Sequence, residues 1–200
     1  MREYGMEHGY VRVKICGVTR PEDARVAEAA GADAVGVVMF SDSPRSIGPD
    51  EAAAVFSALG PFTARVVVTH TTSPEDLARV LALHPTAVQI SYPHGVPTGC
   101  GTAVMRVVGR ERPAPPLHAD AYIVDESMGR GHLFDPASAR SFVEESRVPV
   151  VLAGGLTPEN VRAAVRAVRP YAVDVCSGVE IEPGVKDPAL VRAFVAAVKG

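Results

Sequence analysis

Short runs of β-branched and other apolar residues alternate eight times with alanine-rich, amphipathic segments along this chain of 200 residues. Such alternation is typical of repeated βα units around a parallel sheet, and not of a sandwich or a helix bundle. Eight units in one domain predict a (β/α)8 barrel over residues 11–200, preceded by a flexible extension, residues 1–10. The predicted strands are residues 11–16, 34–40, 64–70, 87–91, 103–108, 121–125, 148–153 and 172–176.

The segments between the strands carry recognisable helix starts. Proline followed by acidic residues opens the first three helices at Pro21, Pro49 and Pro74, which suits the free N–H groups and the positive end of a helix dipole. The segment Thr157-Pro-Glu-Asn160 predicts the start of the helix after the seventh strand. Residues 93–117 are rich in Gly and Pro, so we expect the fourth and fifth helices to be reduced to turns or loops.

The competing layout is a doubly wound open sheet. Its glycine-rich GxGxxG signature is absent after the first strand, where the chain reads Cys16-Gly17-Val18-Thr19. The pair Gly129 and Gly131 is too weak a signal for a dinucleotide site. The barrel is therefore the favoured prediction.

Composition excludes several classes of function. With 20 basic and 23 acidic residues, and no basic cluster with interleaved aromatic residues, the chain does not resemble a nucleic-acid binder. Its apolar runs are too short to span a bilayer, so we expect no membrane partner and a cytoplasmic location. Three cysteines without CxxC spacing argue against a disulfide framework or a structural zinc site. His8, His84, His94 and His118 lack the spacing of metal ligands, and we expect them to face solvent.

Active sites of (β/α)8 barrels lie at the carboxyl ends of the strands, so the strand tips are the candidate positions. In the first strand, alternation places Val11, Val13 and Ile15 towards the helices, which turns Lys14 and Cys16 inward with Cys16 at the mouth. A free cysteine is commonly a small buried filler, but its place at a strand tip before a glycine favours a functional thiol.

Three other strand tips carry candidate groups. Asp125 ends the sixth strand; an aspartate here could equally cap a helix, but the next helix is expected near Asp135, which is the better cap. Gly154-Gly155 and Ser177-Gly178 follow the seventh and eighth strands, where this fold frequently binds phosphate through backbone N–H groups. Ordinary tight turns are the alternative explanation of these glycines.

These residues and their spacing resemble the phosphoribosylanthranilate isomerase family. The matching segments, in chain order, are Lys14-Ile-Cys-Gly17, Ser43-Pro-Arg45, Asp125 at its strand tip, Leu152-Ala-Gly-Gly-Leu156, Val173-Asp-Val-Cys-Ser-Gly-Val-Glu180 and Pro183-Gly-Val-Lys-Asp187. The resemblance runs from about Val11 to the C-terminus. It implies an Amadori rearrangement of N-(5-phosphoribosyl)anthranilate in tryptophan biosynthesis, without a cofactor or a metal.

The same resemblance implies roles for individual residues. Asp125 would protonate the furanose oxygen and Cys16 would remove the C2′ proton, so Cys16 needs a lowered pKa, which Lys14 or Arg45 could provide. Arg45 has the planar fork that suits the anthranilate carboxylate, and Asp174 could reach the ribose. Gly154, Gly155, Ser177 and Gly178 would hold the phosphate of this small-molecule substrate. The protein is expected to act as a monomer or a homodimer.

Some positions depart from the family pattern. His70 stands where an asparagine is common, Ser91-Tyr92 replaces the usual His-Gly, Arg130 interrupts a Gly-Thr-Gly segment, and Pro136 replaces an aromatic residue. These changes indicate either a remodelled anthranilate pocket or a different substrate. Two alternatives stay open: another sugar-phosphate enzyme on a phosphate-binding barrel, and a catalytically silent phosphate-ligand binding protein.

Overall fold

Eight parallel strands form a closed barrel in which each strand pairs with the next and the last pairs with the first. The structure, a computed structural model, describes residues 10–97, 99–108, 117–125 and 136–200. The strands are β1 (Arg12–Ile15), β2 (Ala34–Met39), β3 (Ala64–Thr69), β4 (Ala87–Ile90), β5 (Ala103–Val108), β6 (Ala121–Asp125), β7 (Val150–Ala153) and β8 (Ala172–Val175). The predicted barrel is confirmed, although several strands are one or two residues shorter than expected.

Six helices surround the described part of the barrel. They are α1 (Pro21–Ala29), α2 (Pro49–Ser57), α3 (Pro74–Leu81), α4 (Pro136–Glu145), α5 (Val161–Val168) and α6 (Pro188–Lys199). Helices α1, α2 and α3 begin at the predicted prolines, because a proline in the first turn loses no hydrogen bond there. The expected cap of α4, Asp135, lies outside the described residues.

Helix α5 begins later than its sequence pattern predicts. The side chain of Asn160 folds residues 157–160 into a turn, since its Oδ1 accepts from the N–H of Thr157 at 2.8 Å and its Nδ2 donates to the carbonyl of Gly155 at 2.9 Å. Helical geometry therefore starts only at Val161. The turn holds the chain after β7 close to the strand end.

A short insertion separates β8 from α6. It consists of a 3-10 turn over Ser177–Val179 and a two-stranded antiparallel hairpin, β9 (Glu180–Glu182) and β10 (Val185–Lys186). Asp187 then caps α6, because its Oδ1 accepts from the N–H groups of Ala189 and Leu190. The hairpin brings Glu180 and Lys186 back over the mouth of the barrel.

One face of the strands lines the inside of the barrel, and the other face packs against the surrounding helices. Val13 and Ile15 belong to the large core between strands and helices, as the alternation of β1 predicts. A second cluster, of Ile123, Val151, Ala153 and Ala172, fills the interior. Above it, Cys16 packs with Val38, Val68 and Cys176 near the mouth.

The chain between β4 and β5 contains no helix among its described residues, as predicted, and the described residues 117–120 before β6 are not helical either. Arg106 covers the outer face of β5 instead and is 8 % exposed. Its guanidinium donates to the carbonyls of His94 and His118, each at 2.9 Å. One side chain thus ties both neighbouring loops to the barrel.

Of the four histidines expected to face solvent, His84 and His118 do so. That prediction is wrong for His94, which is 7 % exposed because its ring is drawn inward by a 2.8 Å contact between Nε2 and the carbonyl of Thr71. His8 lies outside the described residues. In the part of the chain that the structure describes, no group of His, Cys, Asp or Glu is placed to hold a metal ion.

Residues 1–9 of the expected N-terminal extension lie outside the described residues, but Tyr10 is placed against the barrel floor. Its hydroxyl donates to the carboxylate of Asp33 and accepts from Lys199 at 2.7 Å. Arg12 lies against the ring of Tyr171, with 4.3 Å from Cζ to the ring centroid. None of the helices in the described ranges is both long enough and apolar enough to cross a membrane.

Arg106→Met keeps most of the apolar volume of the side chain but removes both hydrogen bonds to the loop carbonyls. We expect the free energy of unfolding to fall by about 2 kcal/mol, because two loop carbonyls lose a charged donor. Urea denaturation measures the change, with the exposed Arg147→Met as the matched control. Equal midpoints for the two variants would contradict this role of Arg106.

Candidate active site

Two cysteines lie side by side at the mouth, just beyond the ends of β1 and β8. The register pairs Ile15 with Val175, and the N–H of Cys16 donates to the carbonyl of Val175 at 2.8 Å, so Cys16 and Cys176 follow as strand neighbours. Cys16 is 7 % exposed and packs against Cys176. Gly17 leaves the necessary space, since a Cβ there would lie 2.7 Å from the Sγ of Cys176 and 2.7 Å from the Cδ of Arg45.

A buried ion pair lies one layer below the thiols, inside the barrel. The Nζ of Lys14 donates to Oδ2 of Asp174 at 2.8 Å and to Oε1 of Gln89 at 3.0 Å. Both charged side chains are almost fully buried. Oδ1 of Asp174 has no hydrogen-bond partner among the described residues, although it is buried. The inward position predicted for Lys14 is therefore confirmed, and Asp174 retains a free acceptor.

The protonation of this pair follows from its surroundings. Burial opposes the charge of Lys14, but Asp174 and Cys16 outweigh it and raise the pKa of Lys14 above its ordinary value. Burial and a negative charge on Cys16 raise the pKa of Asp174 to about 7, against the opposing effect of Lys14. Lys14 therefore keeps its proton at neutral pH, and its 2.8 Å hydrogen bond favours the carboxylate form of Asp174.

Asp125 is the last residue of β6 and is half-buried at the mouth. The register places it beside Ala153, at the end of β7 and immediately before Gly154. Its charge acts on Asp174 and helps to raise the pKa of that carboxyl. The structure thus brings Asp125 to the same mouth as Cys16, with β7 and β8 between their two strands.

Arg45 comes from the loop after β2, as expected, and its guanidinium meets a carboxylate of the chain itself. Nε donates to Oε1 of Glu180 at 2.9 Å, and Nη2 donates to Oε2 at 2.6 Å. Lys186, which is fully buried, donates to Oε1 of Glu180 at 2.8 Å and to the carbonyl of Cys176 at 3.2 Å. The hydrogen bond to Glu180 raises the pKa of Arg45, and both cations hold the pKa of Glu180 low despite its burial.

The thiol pair has opposite pKa shifts on its two members. The S–H of Cys176, together with the ammonium groups of Lys14 and Lys186, lowers the pKa of Cys16 well below its ordinary value, against the effect of burial. The interaction with Cys16 and burial both raise the pKa of Cys176. A cysteine with these neighbours is a thiolate at a far lower pH than a free thiol.

The glycine turns after β7 and β8 contact each other directly. Gly154 and Gly155 adopt positive φ angles of 94° and 63°, which favour glycine. A Cβ on Gly178 would lie 2.0 Å from the carbonyl oxygen of Leu156, so the two backbones approach more closely than any side chain allows. Ser177 is exposed beside this contact. The four residues expected at a phosphate therefore lie on adjoining turns.

Two of the positions that depart from the family pattern contact each other. Nδ1 of His70, after β3, lies 2.8 Å from Oγ of Ser91, after β4. Both residues are exposed at the rim of the mouth. The two departures therefore form one local change. Arg130 lies outside the described residues, and Pro136 forms the first turn of α4.

Three residues of the site escaped sequence reasoning. Gln89 is the one polar residue of β4, and this break in an apolar strand was the available signal. Glu180 ends one of the matching segments but had no predicted contact, whereas it pairs with Arg45 and Lys186. Lys186 had no sequence signal, because a lysine next to a turn is ordinarily exposed.

A closed barrel with its buried ionisable groups gathered at the carboxyl ends of the strands defines an enzyme of the (β/α)8 class. The family model described as N-(5'-phosphoribosyl)anthranilate isomerase matches residues 102–197. A protein of that name from Methanoregula boonei is 56 % identical over 190 residues, which cover 94 % of this chain and 97 % of its own. The chain belongs to the N-(5'-phosphoribosyl)anthranilate isomerase family.

Solved structures agree with this assignment. The crystal structure of phosphoribosylanthranilate isomerase from Thermus thermophilus matches with a TM-score of 0.81 at 39 % identity, covering 94 % of this chain and 98 % of that one. A phosphoribosylanthranilate isomerase in complex with reduced 1-(o-carboxyphenylamino)-1-deoxyribulose 5-phosphate matches with a TM-score of 0.78 at 34 % identity, covering 96 % and 100 %.

Gly178→Ala tests the close contact between the two glycine turns. The new methyl group collides with the backbone at Leu156, so we expect the free energy of unfolding to fall by more than about 2 kcal/mol. Gly95→Ala is the matched control, since a Cβ at Gly95 meets nothing within 4 Å. Thermal and urea denaturation measure both variants, and equal losses would show that the contact is unimportant.

Proposed function

We propose that Asp125 and Cys16 carry out the two proton transfers of phosphoribosylanthranilate isomerisation in this chain. The family reaction is the Amadori rearrangement of N-(5-phosphoribosyl)anthranilate to 1-(2-carboxyphenylamino)-1-deoxyribulose 5-phosphate, a step of tryptophan biosynthesis. The observation that carries the assignment is the environment of Cys16: a buried thiol at a strand tip, with its pKa lowered by Cys176 and Lys14.

The first step needs an acid at the furanose oxygen. Asp125 donates its proton to that oxygen, the C1′–O bond breaks, and the lone pair of the anthranilate nitrogen forms the C1′=N bond. For this role Asp125 must carry a proton when the substrate is bound. Asp125 is half-buried at the mouth, where the register places it beside the end of β7.

The second step needs a base at C2′. The thiolate of Cys16 removes the C2′ proton, and the electron pair of the broken C–H bond forms the enolamine, which tautomerises to the ketone. A thiolate exists at neutral pH only where cations and hydrogen-bond donors stabilise it, which is the setting of Cys16. The proposal needs no cofactor, because the reaction is an isomerisation: the proton that Asp125 donates is matched by the proton that Cys16 accepts, and no electrons enter or leave the substrate.

The remaining site residues bind the substrate in this proposal. The adjoining turns at Gly154-Gly155 and Ser177-Gly178 offer backbone N–H groups to the phosphate, and Oδ1 of Asp174 is a free acceptor for a ribose hydroxyl. Glu180 holds the guanidinium of Arg45 in place, and from that position Arg45 contacts the anthranilate carboxylate. Lys14 positions Asp174 through their ion pair.

Location and assembly are further parts of the proposal. All three cysteines are free, which suits the reducing cytoplasm. We expect the protein to act as a monomer or as a homodimer. Light scattering of the purified protein at assay concentration distinguishes these two states.

The decisive experiment follows the decay of anthranilate fluorescence after freshly prepared phosphoribosylanthranilate is mixed with the enzyme. We expect Cys16→Ala and Asp125→Asn each to lower kcat by at least about 10²-fold, because each removes one proton-transfer group. Cys100→Ala is the control, since Cys100 is exposed and far from this cluster in the strand order. Wild-type turnover in either site variant would overturn its assigned role. Binding of the reduced product analogue to each variant shows that a loss of turnover does not come from a loss of the site.

Ser177→Asp tests the phosphate subsite. A carboxylate on this turn repels the phosphate, and charges a few ångström apart near a protein surface interact by a few kcal/mol, so we expect KM to rise at least about tenfold. The phosphate does not react, and kcat should therefore change little. Ser57→Asp, at the end of α2, adds the same charge outside the mouth. An unchanged KM in Ser177→Asp would remove this turn from the phosphate site.

A further inference from the structure

Cys176 transfers no proton in the proposed chemistry, yet its thiol lies beside that of Cys16. The two residues follow in-register positions of neighbouring strands and pack together at the mouth. The Sγ of Cys176 lies 3.9 Å from the Nζ of Lys186 and 3.9 Å from Oε1 of Glu180. A second thiol in this place needs an explanation of its own.

The charges around the two thiols favour one thiolate and one thiol. Lys14, Arg45 and Lys186 are cations, whereas Asp174 and Glu180 are carboxylates, so the groups next to the pair carry one more positive than negative charge. Asp125 acts from farther across the mouth, through its effect on Asp174. One thiolate balances the adjacent charges, and a second would add an uncompensated negative charge in a buried site.

The geometry also decides which sulfur carries the charge. Lys14 lies below Cys16 on the same face of β1, whereas at Cys176 the carboxylate of Glu180 and the ammonium group of Lys186, each 3.9 Å from Sγ, oppose each other. The thiolate therefore resides on Cys16. Cys176 keeps its proton and can donate it to the Sγ of Cys16.

We propose that Cys176 is a positioning residue for the isomerase reaction: its S–H donates to the thiolate of Cys16 and keeps that sulfur ionised and aimed at the substrate. When Cys16 has taken the C2′ proton, the same S–H can turn to Oε1 of Glu180, so the donor has an acceptor in both states. Cys176 retains its own proton throughout. This inference rests on the proposed role of Cys16 as the base.

The thiolate character of Cys16 can be measured without substrate. We compare the original Cys176 with Cys176→Ser and Cys176→Ala, all in a Cys100→Ser background that removes the exposed thiol. The rate of iodoacetamide alkylation at Cys16 is followed between pH 5 and about 10 by peptide mass spectrometry. A serine keeps a donor at this position, whereas an alanine removes it.

We expect Cys176→Ala to slow alkylation of Cys16 about tenfold at neutral pH, because hydrogen bonds to a charged group are the strong ones. The acidic limb of its kcat/KM profile should move to higher pH, with KM little changed. Cys176→Ser should resemble the original protein in both measurements. A merely structural role would leave the alkylation profile of a folded variant unchanged.

Two results would overturn the inference: an alkylation profile in Cys176→Ala that matches the original protein, or a Cys176→Ser variant as slow as Cys176→Ala. Failure of the proposed function is distinguishable, since it would appear as full turnover in Cys16→Ala. In that case a slow alkylation rate in Cys176→Ala would still establish the hydrogen bond between the thiols, but not its part in catalysis. Circular dichroism and melting temperatures confirm that each variant is folded.

Discussion

The pairing of the first strand with the last is the interaction on which the site depends. Residues Arg12 to Ile15 align with Ala172 to Val175, and this register closes the barrel. Closure removes both exposed sheet edges, and it also sets the first strand tip beside the eighth. A shift of one residue would turn Lys14 out of the interior and separate the two thiols. The arrangement of the thiols and charged groups at the mouth therefore depends on how the barrel closes.

Around this seam the protein buries charge where a barrel interior would otherwise hold branched apolar side chains. Lys14 and Asp174 lie in one layer, and Arg45, Glu180 and Lys186 form a second group above them. Removing a single member would leave an unpaired buried charge, so each residue constrains the others. The arrangement is costly for stability. What it provides is an electrostatic field directed at one sulfur atom before any substrate arrives.

The sequence predicted the barrel and the strand tips because both depend on local periodicity. Alternation along β1 was enough to turn Lys14 and Cys16 inward, and proline was enough to start α1, α2 and α3. Periodicity could not predict the partner of Arg45, because Glu180 approaches only after the β9–β10 hairpin folds back over the mouth. The prediction that His94 faces solvent was wrong for the same reason, because its burial depends on a contact with the carbonyl of Thr71, which is distant in the chain. Contacts between segments far apart in the chain leave no periodic trace.

The loop that replaces a helix beside β5 has a consequence for how the molecule opens. A helix satisfies its own backbone hydrogen bonds, whereas this loop is fastened by the side chains of Arg106 and His94. Releasing these few contacts uncovers the outer face of β5 while the ring of strands stays closed. Local unfolding of low free energy is therefore expected on this side of the barrel, away from the thiol pair. This is the flank at which a protease could cut the chain, or an insertion lengthen it, with the catalytic rim left in place.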